Sequence, residues 1–189
     1  MLHTTGKENQ RVRLTKTLFK TALIQLLSEK KIHEITIQEL CQKAELNRTT
    51  FYKHYQNIRD LLDEIENETL ERSTLCLEQT KIEKEASVTT PLFHYLCYIR
   101  DNSDTYRLLL NPSNDFNRKL LAPATDFLKK QSETLSQLTE LTETSLTYYQ
   151  EYILSGSVAL IRNWLFNGTI ESPELIASMI YEIAVKLLK

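Results

Sequence analysis

Turn-forming residues are scarce in this chain. Its 189 residues include three glycines (Gly6, Gly156, Gly168) and four prolines. Little therefore interrupts its regular elements, and the glycine-rich loop that cradles phosphate is missing. No stretch approaches the roughly 18 consecutive apolar residues of a membrane span. The opening MLHTTGKENQ lacks the apolar run of a secretory signal, so a cytoplasmic protein with no membrane partner is expected. Cysteine is confined to Cys41, Cys76 and Cys97. An odd number at wide spacing argues for reduced thiols rather than a disulfide framework. There is also no recognisable nucleophile motif, so no enzyme and no cofactor are expected.

What is present is helical. Apolar residues recur at three- and four-residue spacing, which gives an all-α fold. Net charge is −2 for the whole chain, but it is unevenly distributed. Residues 1–60 hold eleven Lys or Arg against six Asp or Glu, and residues 61–189 hold twelve against nineteen. A basic head on an acidic body suits a protein that faces phosphate with one end.

The segment TIQELCQKAELNRTTFYKHY, residues 36–55, writes two short helices and a tight turn. Thr36 caps the first, with Glu39 three residues on, and Ile35 is spaced to pack on Leu40, as in a capping box with a hydrophobic staple. Asn47 caps the second, expected from Arg48 to about Tyr55, and Leu46 is spaced to meet Phe51. Before them, a helix from about Arg11 to Ser28 carries a stripe of Leu14, Leu18, Phe19, Ala22, Leu23, Leu26 and Leu27. A fourth helix should start near Asn57, turn Leu61, Leu62, Ile65 and Leu70 inward, and end near Leu77. The domains are therefore an N-terminal three-helix helix-turn-helix head, residues 1–57, and a helical C-terminal body, 58–189.

Residues 80–89 read as a polar loop. Thr90 and Pro91 open a helix to about Asp101. A short helix through Tyr106 to Leu110 precedes a turn at 111–114 and a helical segment at 115–137 that Pro123 should kink. One long helix runs from about Glu143 to Phe166 and stops at Gly168, a natural left-handed cap; the last opens with Ser172 and Pro173.

On these residues the chain resembles the TetR family of one-component transcriptional regulators. Residues 14–62 carry the match: the Thr36 start, Ala44 at the turn, Thr50-Phe51-Tyr52 in the second helix, His54-Tyr55, and Leu61-Leu62. Trp164 and Gly168 are similar to the end of the dimer-forming helix in Firmicute-type members with a short regulatory domain. Two positions depart from the pattern. Glu45 stands where the family usually has glycine, which implies a strained left-handed residue or a different turn. Ile58 stands where many members place a phosphate-gripping lysine, a role that falls to Arg59.

The resemblance implies binding to double-stranded DNA. Arg, Thr and Lys can read base edges in the major groove, and Arg48, Thr49 and Lys53 are the candidates. Hydroxyls, cations and helix starts set the register on phosphate. Thr36, Asn47, Thr50, Tyr52, His54 and Arg59 suit that surface, and Arg11 and Arg13 could reach the backbone or minor groove. His94 and Cys97 lie three apart on one helix face, but no second close pair of ligands accompanies them, so no metal is expected.

The final two helices carry Tyr148, Tyr149, Tyr152, Leu160, Ile161, Trp164, Leu165 and Phe166, then Leu175, Ile176, Ile180, Ile183, Ala184 and Leu187. That is too much apolar surface for one covered face each. A homodimeric four-helix interface is expected, with two heads reading a roughly palindromic site. Effector candidates in the body are Phe93, Tyr95, Leu96, Tyr106, Leu109, Phe116 and Phe127, for a small molecule or a protein. Repression is the mode the resemblance implies. Two alternatives stay open: an activator or co-regulator controlled by a protein partner, and a helical interaction module without DNA affinity.

Overall fold

A computed structural model describes residues 4–79, 90–110, 116 and 142–186. Among them are eight α-helices and no strand: α1 (Thr4–Glu29), α2 (Ile37–Lys43), α3 (Arg48–Tyr52), α4 (Ile58–Gln79), α5 (Thr90–Asp101), α6 (Ser103–Leu109), α7 (Glu143–Phe166) and α8 (Pro173–Lys186). One 3-10 turn, Ile32–Glu34, joins α1 to α2. None of the described helices is long and apolar enough to cross a membrane. The loop expected at 80–89, the turn at 111–114 and nearly all of the segment at 115–137 lie outside the described residues.

The chain divides into two compact units, Met1–Thr69 and Leu70–Lys189. The division falls inside α4, the helix that follows the three-helix head. A helix is a poor place to read a domain edge from sequence, because its backbone bonds continue straight through.

In the first unit the buried side chains are Phe19, Ala22, Leu23 and Leu26 of α1, Leu40 and Cys41 of α2, Phe51 of α3, Tyr55, and Leu61, Leu62 and Ile65 of α4, with Ile35 and Ala44 beside them in the chain. Leu14 and Leu18, expected in the same stripe, are instead 61% and 40% exposed. The geometry explains this: at 3.6 residues per turn each four-residue step drifts about 40° around the helix. Stepping back from Ala22 through Leu18 to Leu14 therefore leaves the buried arc.

In the second unit α5 packs on α8, and α6 packs on α7. Its buried side chains include Tyr95, Leu96, Ile99, Tyr106, Leu109, Phe116, Ile161, Trp164, Leu165, Ile176 and Ile180. Two polar links fasten the elements. The Arg107 Nε–H donates to the Leu165 carbonyl at 2.9 Å, joining α6 to the end of α7. The Trp164 Nε1–H donates to the Glu171 carbonyl at 2.9 Å across the α7–α8 corner.

That corner begins with a capped helix end. Gly168 adopts φ +88°, and its amide and that of Thr169 donate back to Leu165 and Trp164 at 3.3 and 2.9 Å. This paired closure is the Schellman motif, which satisfies two carbonyls the helix leaves open.

Candidate nucleic-acid interface

The helix-turn-helix is built from caps. Thr36 Oγ1 accepts from the Glu39 amide at 3.2 Å and starts α2. The Glu39 carboxylate also pairs with Lys30 just past the end of α1. The Lys30 hydrogen bond, opposed by partial desolvation, leaves the Glu39 carboxyl below its usual range. The pair therefore fixes where α2 leaves α1.

The turn after α2 repeats the closure seen after α7. Glu45 sits at φ 55°, its amide donates to Gln42 at 3.2 Å, and the Leu46 amide donates to Cys41 at 2.9 Å. The turn is therefore the one glycine would make, with a glutamate carrying the left-handed residue. A left-handed non-glycine residue costs about 1–2 kcal/mol.

Asn47 then starts α3. Its Oδ1 accepts from the Thr50 amide at 2.7 Å and from the Thr50 hydroxyl at 2.9 Å. Two expected contact residues thereby have their side chains engaged in capping. α3 ends at Tyr52, short of the expected Tyr55, although the backbone coils on for three residues. The Lys53 amide donates to Thr49 at 3.3 Å, and the His54 and Tyr55 amides both donate to Phe51, at 2.9 and 3.0 Å.

One side of this segment is an aromatic anchor. The Phe51 ring, fully buried, meets Phe19 edge-on at 5.4 Å and Tyr55 at 5.6 Å. The opposite side is open: Arg48, Thr49, Tyr52 and Lys53 are exposed, and His54 is half-buried. Neither Arg48 nor Lys53 has an ion-pair partner among the described residues, whereas Lys16, Lys20, Lys30 and Arg59 all do. Arg59 reaches Asp63 at 2.9 Å and Glu66, a buried carboxylate, at 3.8 Å. Arg11 and Arg13, expected from sequence to reach the DNA backbone or minor groove, lie exposed within α1.

Sequence reading missed the Lys30–Glu39 pair and the α1–α4 ion pairs. The latter join residues 44 or 48 positions apart, for which no local pattern exists. Among the body candidates, Tyr95, Leu96, Tyr106, Leu109 and Phe116 are buried and Phe93 is half-buried; Phe127 lies outside the described residues. Tyr106 shares a 2.6 Å hydrogen bond with the Ser73 hydroxyl. No group of three His, Cys, Asp or Glu among the described residues is arranged to hold a metal ion.

The comparisons agree along the chain. Residues 21–65 match the model for bacterial regulatory proteins of the tetR family, and residues 89–186 match a model for a transcriptional regulator C-terminal region of the same family. An uncharacterized HTH-type transcriptional regulator of Bacillus subtilis, YxbF, is 23% identical over 172 residues. That alignment covers 87% of this chain and 43% of the relative, so the chain spans less than half of that protein's length. Two solved structures share the fold. The dihydroxyacetone kinase operon activator DhaS is 20% identical with a TM-score of 0.59, covering 92% of this chain and 96% of that one. FadR from Bacillus subtilis, in complex with stearoyl-CoA, is 14% identical with a TM-score of 0.64, covering 89% and 97%. With one family model spanning the head and another the body, this chain belongs to the TetR family of bacterial transcriptional regulators.

Proposed function

We propose that this protein is a DNA-binding transcriptional regulator, acting as a homodimer on a roughly palindromic operator and modulated through its body, with repression as its mode. The observation that carries the reading is the open side of the recognition segment. It presents two cations without ion-pair partners on a helix that Phe51 and the Asn47 cap hold rigidly. Arg48, Thr49 and Lys53 are assigned to base edges. Thr36, Asn47, Thr50, Tyr52 and His54 are assigned to phosphate and register, with the capping residues acting chiefly by presenting the segment. Arg59 joins them by exchanging Asp63 for phosphate.

Dimerisation is supported by what α7 and α8 leave uncovered. Tyr148, Tyr152 and Phe166 are 70%, 66% and 54% exposed, and Leu175, Met179 and Ile183 are 51%, 43% and 46% exposed. A second copy would cover this surface and set two recognition segments one DNA turn apart, about 34 Å.

An effector that binds the body better in one arrangement of the heads shifts the population between DNA-competent and incompetent states. The candidates Phe93, Tyr95, Leu96, Tyr106, Leu109, Phe116 and Phe127 are apolar or phenolic. FadR's stearoyl-CoA supports a small molecule with a long apolar chain as the effector class. DhaS is an activator with the same fold, so activation is the second reading, and a reporter gene behind the operator decides the sign.

The test is selection from a random-sequence duplex pool by the purified protein. Convergence on inverted half-sites one helical turn apart is expected. A pool that fails to converge, bound weakly and equally throughout, would point to a helical interaction module.

A further inference from the structure

Four side chains form an ionic ladder within the first unit. Lys16 and Lys20 stand one turn apart on α1, and Glu64 and Glu68 one turn apart on α4. Lys16 Nζ lies 2.8 Å from one carboxylate oxygen of Glu64. Lys20 Nζ lies 2.6 Å from the other and 2.5 Å from Glu68. Each oxygen of Glu64 thus serves a different lysine. Equal four-residue steps on both helices mean that α1 and α4 run in the same sense where they meet. The side chains of Lys20 and Glu64 keep 17% and 25% of their exposure, so solvent and salt screen this part of the ladder less than a surface pair.

Lys16 has a second contact. Its Nζ lies 5.6 Å from the centroid of the Tyr55 ring, a cation–π distance. Tyr55 in turn packs on Phe51 of α3 at 5.6 Å and meets Phe19 of α1 edge-on at 6.3 Å. Its hydroxyl is buried beside the Glu64 carboxylate. Burial, with the charges of Glu64 and Glu68, raises its ionisation far above the ordinary phenol range, so the ring stays neutral. A continuous chain of contacts therefore runs from α4 through Lys16 and Tyr55 to the recognition segment.

We propose that Glu64 is a positioning residue for DNA binding: by holding Lys16 over Tyr55 it sets the angle of the recognition segment against α1 and α4, while neither Glu64 nor Lys16 touches DNA. The inference rests on the DNA-binding reading above. It makes a prediction of unusual sign. A carboxylate near a polyanion that did nothing but repel it would, on removal, tighten binding. Glu64 as a positioning residue weakens binding when removed.

The test uses the full-length protein and a duplex recovered by the wild type from a random-sequence pool, with affinity computed on the active fraction from stoichiometric titration. Failure of the wild type to recover any duplex sinks the DNA-binding reading itself, separately from the ladder. With a duplex in hand, Glu64→Gln is expected to weaken binding about tenfold and leave the slope of log affinity against log salt unchanged. Lys16→Gln should do the same, and Lys16→Arg, which keeps the cation over the ring, should restore affinity. Tighter or unchanged binding by Glu64→Gln overturns the proposal. So does a salt slope shallower by about 0.9 in Lys16→Gln, the signature of one lost phosphate contact.

Discussion

Both units leave one helical face uncovered, and the two faces have opposite chemistry. On the head, the open side of α3 and its following turn shows Arg48, Thr49, Tyr52 and Lys53. On the body, α7 and α8 show Tyr148, Tyr152, Phe166, Leu175, Met179 and Ile183. An exposed cation is at home in water and is drawn to phosphate at long range. Exposed large apolar side chains gathered on two neighbouring helices are costly in water and favour a partner of the same kind. On the proposed reading the two surfaces take different partners, nucleic acid for one and a second copy of the chain for the other, and each half of that proposal can be broken separately.

The largest effect is expected from reversing charge on the head. The double substitution Arg48→Glu with Lys53→Glu should weaken binding to the selected duplex by at least about a thousandfold. Far-ultraviolet circular dichroism should stay unchanged, because both side chains are exposed. Retained affinity in a folded variant would remove the recognition segment from the interface.

Next comes the body face. Tyr152→Glu with Met179→Glu would place unpaired charges in the dimer contact and raise its dissociation constant at least about a hundredfold. Sedimentation equilibrium should then show monomers at concentrations where the wild type is dimeric. DNA affinity should fall in parallel, since one head reaches only one half-site. A variant that remains dimeric would move the interface away from α7 and α8.

A smaller pair of effects sharpens the comparison, because both units end a helix with the same left-handed closure, one on Gly168 and the other on Glu45. Gly168→Ala has open space for its Cβ, so its cost is the backbone strain less the chain entropy alanine removes from the unfolded state, a net of up to about 1 kcal/mol. Glu45→Gly should relieve strain of similar size, less the entropy that glycine loses on folding. Thermal denaturation should therefore move in opposite directions for the two substitutions. Movement in the same direction would mean that the two turns are not energetically equivalent.

The smallest effect is on acid stability. Burial alone would raise the Glu64 carboxyl, but its hydrogen bonds to Lys16 and Lys20 outweigh burial and leave it below its ordinary value of 4.5. A carboxyl lowered in the folded state binds fewer protons there than in the unfolded chain. Its contribution is thus complete above the ordinary carboxylate range and is lost as pH falls through the lowered value. Melting temperature measured from pH 6 down to about pH 3 should drop less steeply in Glu64→Gln than in the wild type; equal slopes would show that the ladder does not couple to protonation.

How much of this was legible beforehand depended on how far apart the interacting residues lie in the chain. Thr36, Asn47 and Gly168 announce helix ends through residue type alone, because capping is chemistry within three or four positions. The ladder joins residues 44 or 48 apart, and nothing local in Lys16 or Glu64 marks the partner. Leu14 and Leu18 mislead for a related reason: four-residue spacing is helical, but the drift of the helix decides which side is covered. Glu45 shows that a turn can keep its backbone path after losing the residue that favours it, since hydrogen bonds to Gln42 and Cys41 hold it there. In α7 and α8 the sequence supplied the apolar excess, while only packing separated Ile161, Trp164, Leu165, Ile176 and Ile180, which are buried, from the exposed residues. Met179 and Tyr181, also exposed, carried no signal that distinguished them from core.

The most direct measurement is the affinity of the purified protein for its selected duplex against a scrambled duplex of equal length, at several salt concentrations. A selective, dimeric DNA-binding regulator is expected to prefer the selected duplex by at least about a thousandfold, with a salt slope of roughly −0.9 for each phosphate neutralised. Equal, weak binding to both duplexes at every salt concentration would contradict that reading and leave the exposed cations of the head without the partner assigned to them.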